Sequence, residues 1–274
     1  ELHPIMFAAR NMIFAGVSLD PDAAAYIAAV ETAKGSAVTA TQSTAINDFY
    51  VAEKLASRYT SLKRMYLPIW ANAAANAIDM ITLGSGSFVG GVTHSSGYVQ
   101  SNGSTGYFNI GTTFASMGMS SATCLIGCLV KDTDTLSSTA AMMGALTGGV
   151  STLIRQSTPT NIQGRNTGGS GAVNGGNNLT GILTYSSTSD SSRSLRKRVA
   201  AGASSLGTSA GEAAFTIVGG NPFLMARNAG GISEPTNATI GAAFFSLGLD
   251  NTATDSLTLN LKTLWETTSG LTLP

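Results

Sequence analysis

Charge is what this chain has least of. Asp, Glu, Lys and Arg make up 11% of its 274 residues, against about a quarter in an average soluble protein, so Ser, Thr and Asn must wet the surface. The few charges balance, 15 basic against 15 acidic, for a net of zero and a pI near 7.0. No field draws such a chain onto nucleic acid or an anionic membrane, and no nucleic-acid partner is expected. Histidine and cysteine, two of each, share no spacing that would build a zinc site. Cys124 and Cys128 stand in one apolar run, TCLIGCLV. Extended backbone at about 3.3 Å per residue separates them by about 13 Å, too far for a disulfide. Two reduced, buried thiols suit a protein made in a cytoplasm and hardened by packing. Long apolar runs are also missing. Ile5 to Leu19 is interrupted by Arg10 and Asn11 and falls short of the roughly 20 residues that span a bilayer. It lacks a small-residue cleavage site as well, so no membrane insertion is expected. The chain does not begin with methionine, and residues upstream of Glu1 are expected.

Glycine, at 32 residues, is abundant and punctuates a long series of short apolar runs. The most apolar of these, NATIGAAFFSLGL from Asn237 to Leu249, reads as a strand buried on both faces. Ile240, Ala242, Phe244, Ser246 and Leu249 fall on one side, and Ala243, Phe245 and Leu247 on the other. Such a strand requires a second sheet on one side and helical cover on the other. Further strands are expected at Phe88 to Thr93, Gly97 to Gln100, Gly106 to Ile110, Thr123 to Lys131, Ala140 to Leu146, Ser151 to Gln156, Asn161 to Asn166, Leu179 to Ser186, Ser194 to Ala200, Ala213 to Val218 and Phe223 to Asn228. MYLPIW, from Met65, is a short strand that Pro68 confines to an edge or an end. Many short strands separated by turns such as NGSTG and NAGG mean a β-sandwich or barrel with Greek-key connections.

Helices flank this β region. Asp20 as N-cap, Pro21 at the first helical position, Asp22 facing the dipole, Lys34 late and Gly35 as terminator mark the first, with Tyr26, Ile27 and Val30 on its apolar face. The second runs from about Thr41 to Ser57 with Ile46, Phe49, Ala52 and Ala56 in one stripe, and a helical turn follows at Thr60 to Arg64. A C-terminal helix carries Leu257, Leu261, Leu264 and Trp265 at helical spacing. Residues 1–19 form an apolar arm that docks on its own body or on a neighbouring subunit. The organisation is therefore an arm and helical segment over 1–60 and a sandwich with its closing helix over 61–274.

DPDAAAYIAAVETAKG followed by TAINDF, then SNGSTGYFNIG, then NATIGAAFFSLGL before an amphipathic helix, together resemble a family of tailed-phage (cyanophage among them) virion proteins with a concanavalin-A-like lectin/glucanase jelly roll. The resemblance covers most of the chain, but residues 131–212 match nothing in it. It implies a mainly β fold: a concanavalin-A-like jelly-roll sandwich with an N-terminal arm, a helical segment and a C-terminal helix. It also implies a virion protein made in the host cytoplasm, with other virion proteins and host surface glycans as partners. Two roles stay open, an exposed appendage (fibre, spike or baseplate part) that contacts the host, and a capsid or tail decoration protein. An apolar arm and a helical pair need a surface to cover, so a homo-oligomer is expected, with a trimer favoured.

The motifs that carry chemistry elsewhere read poorly here. GTSAG at Gly207 to Gly211 matches a nucleophile elbow with Ser209 as nucleophile, but the only histidines, His3 and His94, precede it, the wrong order for that fold. A plain turn is the alternative. Glycan hydrolysis, a third reading, needs two carboxylates on one face; no strand offers two acids at alternating positions, and the pairs Asp20/Asp22 and Asp132/Asp134 fall at a helix start and a strand exit. Asp132 and Asp134 read as solvated loop acids or as part of a calcium loop, though the EF-hand pattern is absent. The one basic concentration, SRSLRKRV, sets Arg196 and Arg198 on one strand face beside Arg193 and Lys197; that face is solvated or meets a neighbour's acids or an acidic glycan. Gly164 to Gly181 reads as the longest flexible loop, without the aromatic platform a sugar-binding rim uses. Sequons at Asn102, Asn178 and Asn237 carry no meaning in a phage product. No catalytic, cofactor-binding or metal-ligating residue and no cofactor is nominated, the chain is read as a non-enzyme, and its ligand-binding residues stay unassigned.

Overall fold

A computed structural model describes residues 18–132, 139–147, 150–158, 161–167, 172–175, 179–189, 192–210 and 219–274. The first helix, α1 (Pro21–Lys34), begins where Asp20 accepts from the backbone N–H groups of Asp22 and Ala23, and ends at Gly35 with φ 73°. Helix α2 (Ala40–Leu55) opens on a reciprocal capping box between Thr39 and Gln42, a signal that satisfies two orphan donors at once. The expected turn at Thr60 to Arg64 is a 3-10 turn over Tyr59–Ser61, and the chain is already extended in β1 (Leu62–Tyr66). The strand therefore starts before MYLPIW and stops short of Pro68, which has no N–H to give a ladder. Helix α3 (Ala73–Asn76) is one turn, and α4 (Asn251–Ser269) closes the chain.

The strands form two sheets, antiparallel but for one parallel bridge between Asn228 and Ala145. The first runs in the order β13 (Gly202–Ala210), β12 (Ser192–Val199), β11 (Gly181–Ser189), β6 (Cys124–Asp132), β17 (Thr239–Ser246), β4 (Tyr98–Ser101) and β3 (Val92–Ser95), with β1 also paired to β17. The second runs β10 (Val173–Gly175), β9 (Asn161–Thr167), β8 (Val150–Thr158), β7 (Ala140–Thr147), β14 (Phe223–Leu224), β5 (Tyr107–Asn109) and β2 (Ser87–Val89), and the short hairpin β15 (Arg227–Asn228) and β16 (Ile232–Ser233) joins it at β7. This is the mainly β, concanavalin-A-like jelly-roll sandwich expected from the sequence. Three expectations need correcting. Phe88 to Thr93 is split between β2 and β3, which belong to opposite sheets, because Gly90 turns the chain with φ 69°. Phe223 to Asn228 is likewise two short strands broken at Met225, φ 64°. Gly164 to Gly181 is not one loop, since β9 continues to Thr167 and β10 lies inside it. Ala213 to Val218, His3, Asp134, Asn178 and arm residues 1–17 lie outside the described residues.

Strand β17 is the hub. It pairs with β6 along one edge, with β1 and β4 along the other, and every residue in it is buried. Ile240, Ala243 and Phe245 face the core between the sheets, while Ala242 and Phe244 face a second apolar layer. Ile240 thus lies on the side opposite to the one its alternation implies. A register shift between Ile240 and Ala242 inserts one residue, Gly241, and flips the period, as bulges do. A Cβ on Gly241 would sit 2.5 Å from Trp265 Nε1, so the indole lies directly on the strand and donates to Gly97 O at 2.8 Å.

The four helices among the described residues sit in that second apolar layer, with Tyr26, Ile46, Ala75, Leu261 and Trp265 against Leu125, Leu129, Ile182 and Phe244 of the first sheet. Burying each such large side chain contributes roughly 1.5–3 kcal/mol. Polar bonds fix the register of the layer. Glu53, fully buried on α2, is gripped by Arg58 at 2.7 and 2.9 Å and accepts from Asn260 Nδ2 of α4 at 2.7 Å.

Candidate ligand-binding face

With its helices over the first sheet, the molecule leaves the outer face of the second sheet to strand and loop side chains. Alternation decides which residues reach it. Ile154, Ile162 and Val173 point into the core, so Arg155, Gln163 and Asn174, one residue away on β8, β9 and β10, point outward. They also stand in register, Arg155 opposite Gln163 and Gln163 opposite Asn174. Arg155 Nε donates to Gln163 Oε1 at 2.9 Å, and Gln163 Nε2 donates to Asn174 Oδ1 at 3.1 Å. Asn161 Nδ2 donates to the same Oδ1 at 3.1 Å. Each amide is thereby oriented, and Asn174, which is exposed, keeps its Nδ2 as a donor toward solvent.

The row is anchored at its other end by Glu234, just after β16. Arg155 Nη1 lies 2.7 Å and Arg227 Nη2 3.2 Å from Glu234 Oε1, and Arg227 Nη2 also donates to Ser233 Oγ at 3.3 Å. Burial, and then the neighbouring Arg155 and Arg165 charges, pull the Arg227 guanidinium below its ordinary pKa against the opposing pull of Glu234. Glu234 holds φ 48°, a left-handed conformation costing a non-glycine residue about 1–3 kcal/mol, and Pro235 follows it. Its Oε2 is buried without a hydrogen-bond partner among the described residues, as is Arg227 Nε.

Three strands along, Tyr107 and Phe223 stack with centroids 4.2 Å apart and planes at 26°. Phe108 and Leu224 point into the core, so this pair also faces outward, and Tyr107 is half-buried. Strand spacing of about 4.8 Å puts Phe223 roughly 14 Å from Arg165 in the same row of register. The oriented amides and a guanidinium thus lie at one end of this row and the stacked pair at the other, with Leu153, fully buried, between them. Glu234 is the only carboxylate among the described residues of this sheet and its hairpin, and the two-carboxylate pair of a glycosidase is not assembled by them.

The residues weighed from sequence are dispersed elsewhere. Ser209 lies within β13, not on a strand-to-helix turn, and borders a polar cavity of about 280 Å³ with Arg193, Ser194 and Asp250 and no histidine. His94 is on β3, its Nδ1 3.0 Å from Asn76 Nδ2 and its ring edge-on to Phe88. Arg196 and Arg198 face neither solvent nor a neighbour. Arg196 grips Asp255 of α4 through two bonds of 2.9 and 2.5 Å, and Arg198 donates to Thr258 Oγ1 and Asp255 O. They pin the closing helix to the sheet. Asp20 and Asp22 both pair with Lys54, and Asp132 ends β6. Among the described residues no three of His, Cys, Asp and Glu gather as metal ligands would. Cys124 and Cys128 are free and fully buried, and burial pushes both thiols up, Cys128 to about 12. The outward row of Arg155, Gln163 and Asn174 went unread because its three residues come from three strands, and only the strand register brings them together.

No protein-family model and no curated protein matches the chain in sequence. Solved structures do match it in shape. A Trypanosoma rangeli sialidase in complex with 2,3-difluorosialic acid is 11% identical over 75% of this chain and 33% of its own, with a TM-score of 0.53. Domain 4 of AbnA, a GH43 extracellular arabinanase from Geobacillus stearothermophilus, in complex with arabinotriose, is 14% identical over 72% of this chain and 98% of its own, at 0.51. Botulinum neurotoxin type C is 9% identical over 76% and 53%, at 0.53. The chain thus spans about a third of the sialidase and about half of the neurotoxin chain. At these identities what is shared is the fold, a two-sheet β-sandwich.

Proposed function

We propose that this chain is a non-enzymatic, glycan-contacting sandwich module of a phage virion appendage, with the outer face of its second sheet turned toward the host surface. One observation carries the reading: the described helices pack on the first sheet, while the second sets Asn174, Gln163 and Arg155 in one hydrogen-bonded row on its outer face with Tyr107 beyond it. Planar amides and a guanidinium already fixed by their neighbours suit the hydroxyl and carboxylate oxygens of a sugar, because little side-chain freedom is lost on binding. The half-buried Tyr107 ring adds an apolar surface beside them. The sialidase and the arabinanase domain were solved with sugars, and the neurotoxin's cell entry depends on two ganglioside molecules, which supports carbohydrate as the ligand class. The virion setting rests on the resemblance of the helical pair, the early strand and the closing strand and helix, and a homo-oligomer, a trimer by preference, belongs to the same reading.

A glycan array probed with the purified full chain, beside a variant carrying Gln163→Ala and Asn174→Ala, tests the proposal. Binding to at least one glycan that the variant loses is expected. No bound glycan, or binding that the variant retains, overturns it, and incorporation of the chain into particles without any glycan binding then favours the decoration role.

A further inference from the structure

Two guanidinium groups, from β8 and β15, meet one carboxylate oxygen. Arg155 Nη1 lies 2.7 Å and Arg227 Nη2 3.2 Å from Glu234 Oε1, so two positive charges share a single negative one. Arg58, Arg64 and Arg196 are arranged differently, each beside a carboxylate of its own, Glu53, Asp79 and Asp255. Arg165 on β9 stands close enough for its charge to bear on Arg227 as well. Both members of the shared pair keep donors to spare. Arg155 directs Nε to Gln163 and Nη1 to Glu234, and Arg227 directs Nη2 to Ser233 and Glu234. Arg155 Nη2 and Arg227 Nη1 have no hydrogen-bond partner among the described residues, and neither is buried.

We propose, resting on the glycan-contacting role above, that Arg155 and Arg227 receive the anionic group of an acidic sugar, a carboxylate or a sulfate, while Gln163 and Asn174 bond its hydroxyls. A guanidinium presents its N–H groups in a planar fork that matches the oxygens of such an anion. A neutral sugar would fill the same donors but leave the local excess of positive charge uncompensated, whereas an acidic one supplies the missing counter-charge. The preference is local, because the chain as a whole carries no net charge to draw anions toward it. Length fits too. Arg155, Gln163 and Asn174 stand in register on adjacent strands, which spaces the row over about 10 Å and leaves room for a sugar ring beside its acidic group.

Matched pairs of glycans test this: sialyllactose beside lactose, oligogalacturonate beside galactan oligomers, and sulfated beside unsulfated galactan oligomers, each titrated into the full chain. The acidic member of at least one pair is expected to bind about tenfold more tightly than its neutral counterpart, hydrogen bonds to a charged group being the stronger kind. Whether the carboxylate or the sulfate pairs respond identifies the anion. Arg227→Gln keeps a planar donor without the charge, and is expected to bring the two members within about twofold of each other while the neutral one still binds. The comparison within the unaltered chain needs no substitution and stands whether or not Arg227→Gln folds. Equal affinity for both members of every pair would overturn the acidic preference and leave the glycan-contacting role intact. A preference that survives Arg227→Gln would overturn it by placing the anion elsewhere, and binding to no member of any pair would remove both readings.

Discussion

Arg155 Nη1 donates to Glu234 Oε1 at 2.7 Å, tying β8 to a loop 79 residues further along the chain. The side chains are 17% and 13% exposed, so the bond is largely shielded from solvent. Removing both partners is expected to cost less than the sum of the single losses, with a coupling of about 0.5–3 kcal/mol. Urea midpoints of Arg155→Ala, Glu234→Ala and the double variant measure it; additive losses would mean that the pair contributes nothing jointly.

The tip of the Phe244 ring abuts Gly127, where a Cβ would meet Cζ at 2.3 Å. Gly127→Ala must therefore displace the ring from the layer between β6 and the helices, an overpacking that costs typically 1–3 kcal/mol. Phe244→Ala opens a cavity instead and is expected to cost about 3–5 kcal/mol. Calorimetric unfolding of the two variants orders them, and an unchanged midpoint for Gly127→Ala would show that the ring has room.

Trp70 N–H donates to Asn76 Oδ1 at 2.8 Å, so Asn76 Nδ2 must face His94 Nδ1 as a donor. The imidazole is held neutral at that nitrogen, and burial lowers its pKa. A histidine with a folded-state pKa below its unfolded value, about 6.5, contributes stability above that value and loses it as pH falls through the folded one. Midpoints at pH 7.5 and pH 5 are expected to differ more in the native chain than in His94→Gln. Equal differences would remove His94 from the account.

The thiols of Cys124 and Cys128, buried and pushed upward in pKa, are expected to resist iodoacetamide at pH 8 in the native chain and to react fully in denaturant. Mass spectrometry of the alkylated chain reads this directly, and native-state modification would show that β6 opens.

Much of the fold was legible because local chemistry wrote it. Asp20, Pro21 and Gly35 bound α1 without reference to anything distant, and the apolar run around Phe244 announced a strand covered on both sides. Legibility failed where position is set across the sheet. Nothing local distinguishes the bulge at Gly241, yet it moves Ile240 to the other face, and β13 was missed because ASSLGTSA has the composition of a turn and is a strand only through its ladder with β12. The candidate face was less legible still. Arg155, Gln163, Asn174 and Glu234 are scattered single polar residues in sequence, whereas Arg196 and Arg198, the visible cluster, serve to hold α4.

Titration calorimetry is the most direct test of the binding face. With a glycan selected on the array, the full chain is expected to give a saturable isotherm, and Gln163→Ala with Asn174→Ala to abolish it while the variant still unfolds in one cooperative transition above the assay temperature. An isotherm unaltered by the two substitutions would contradict the assignment of that face.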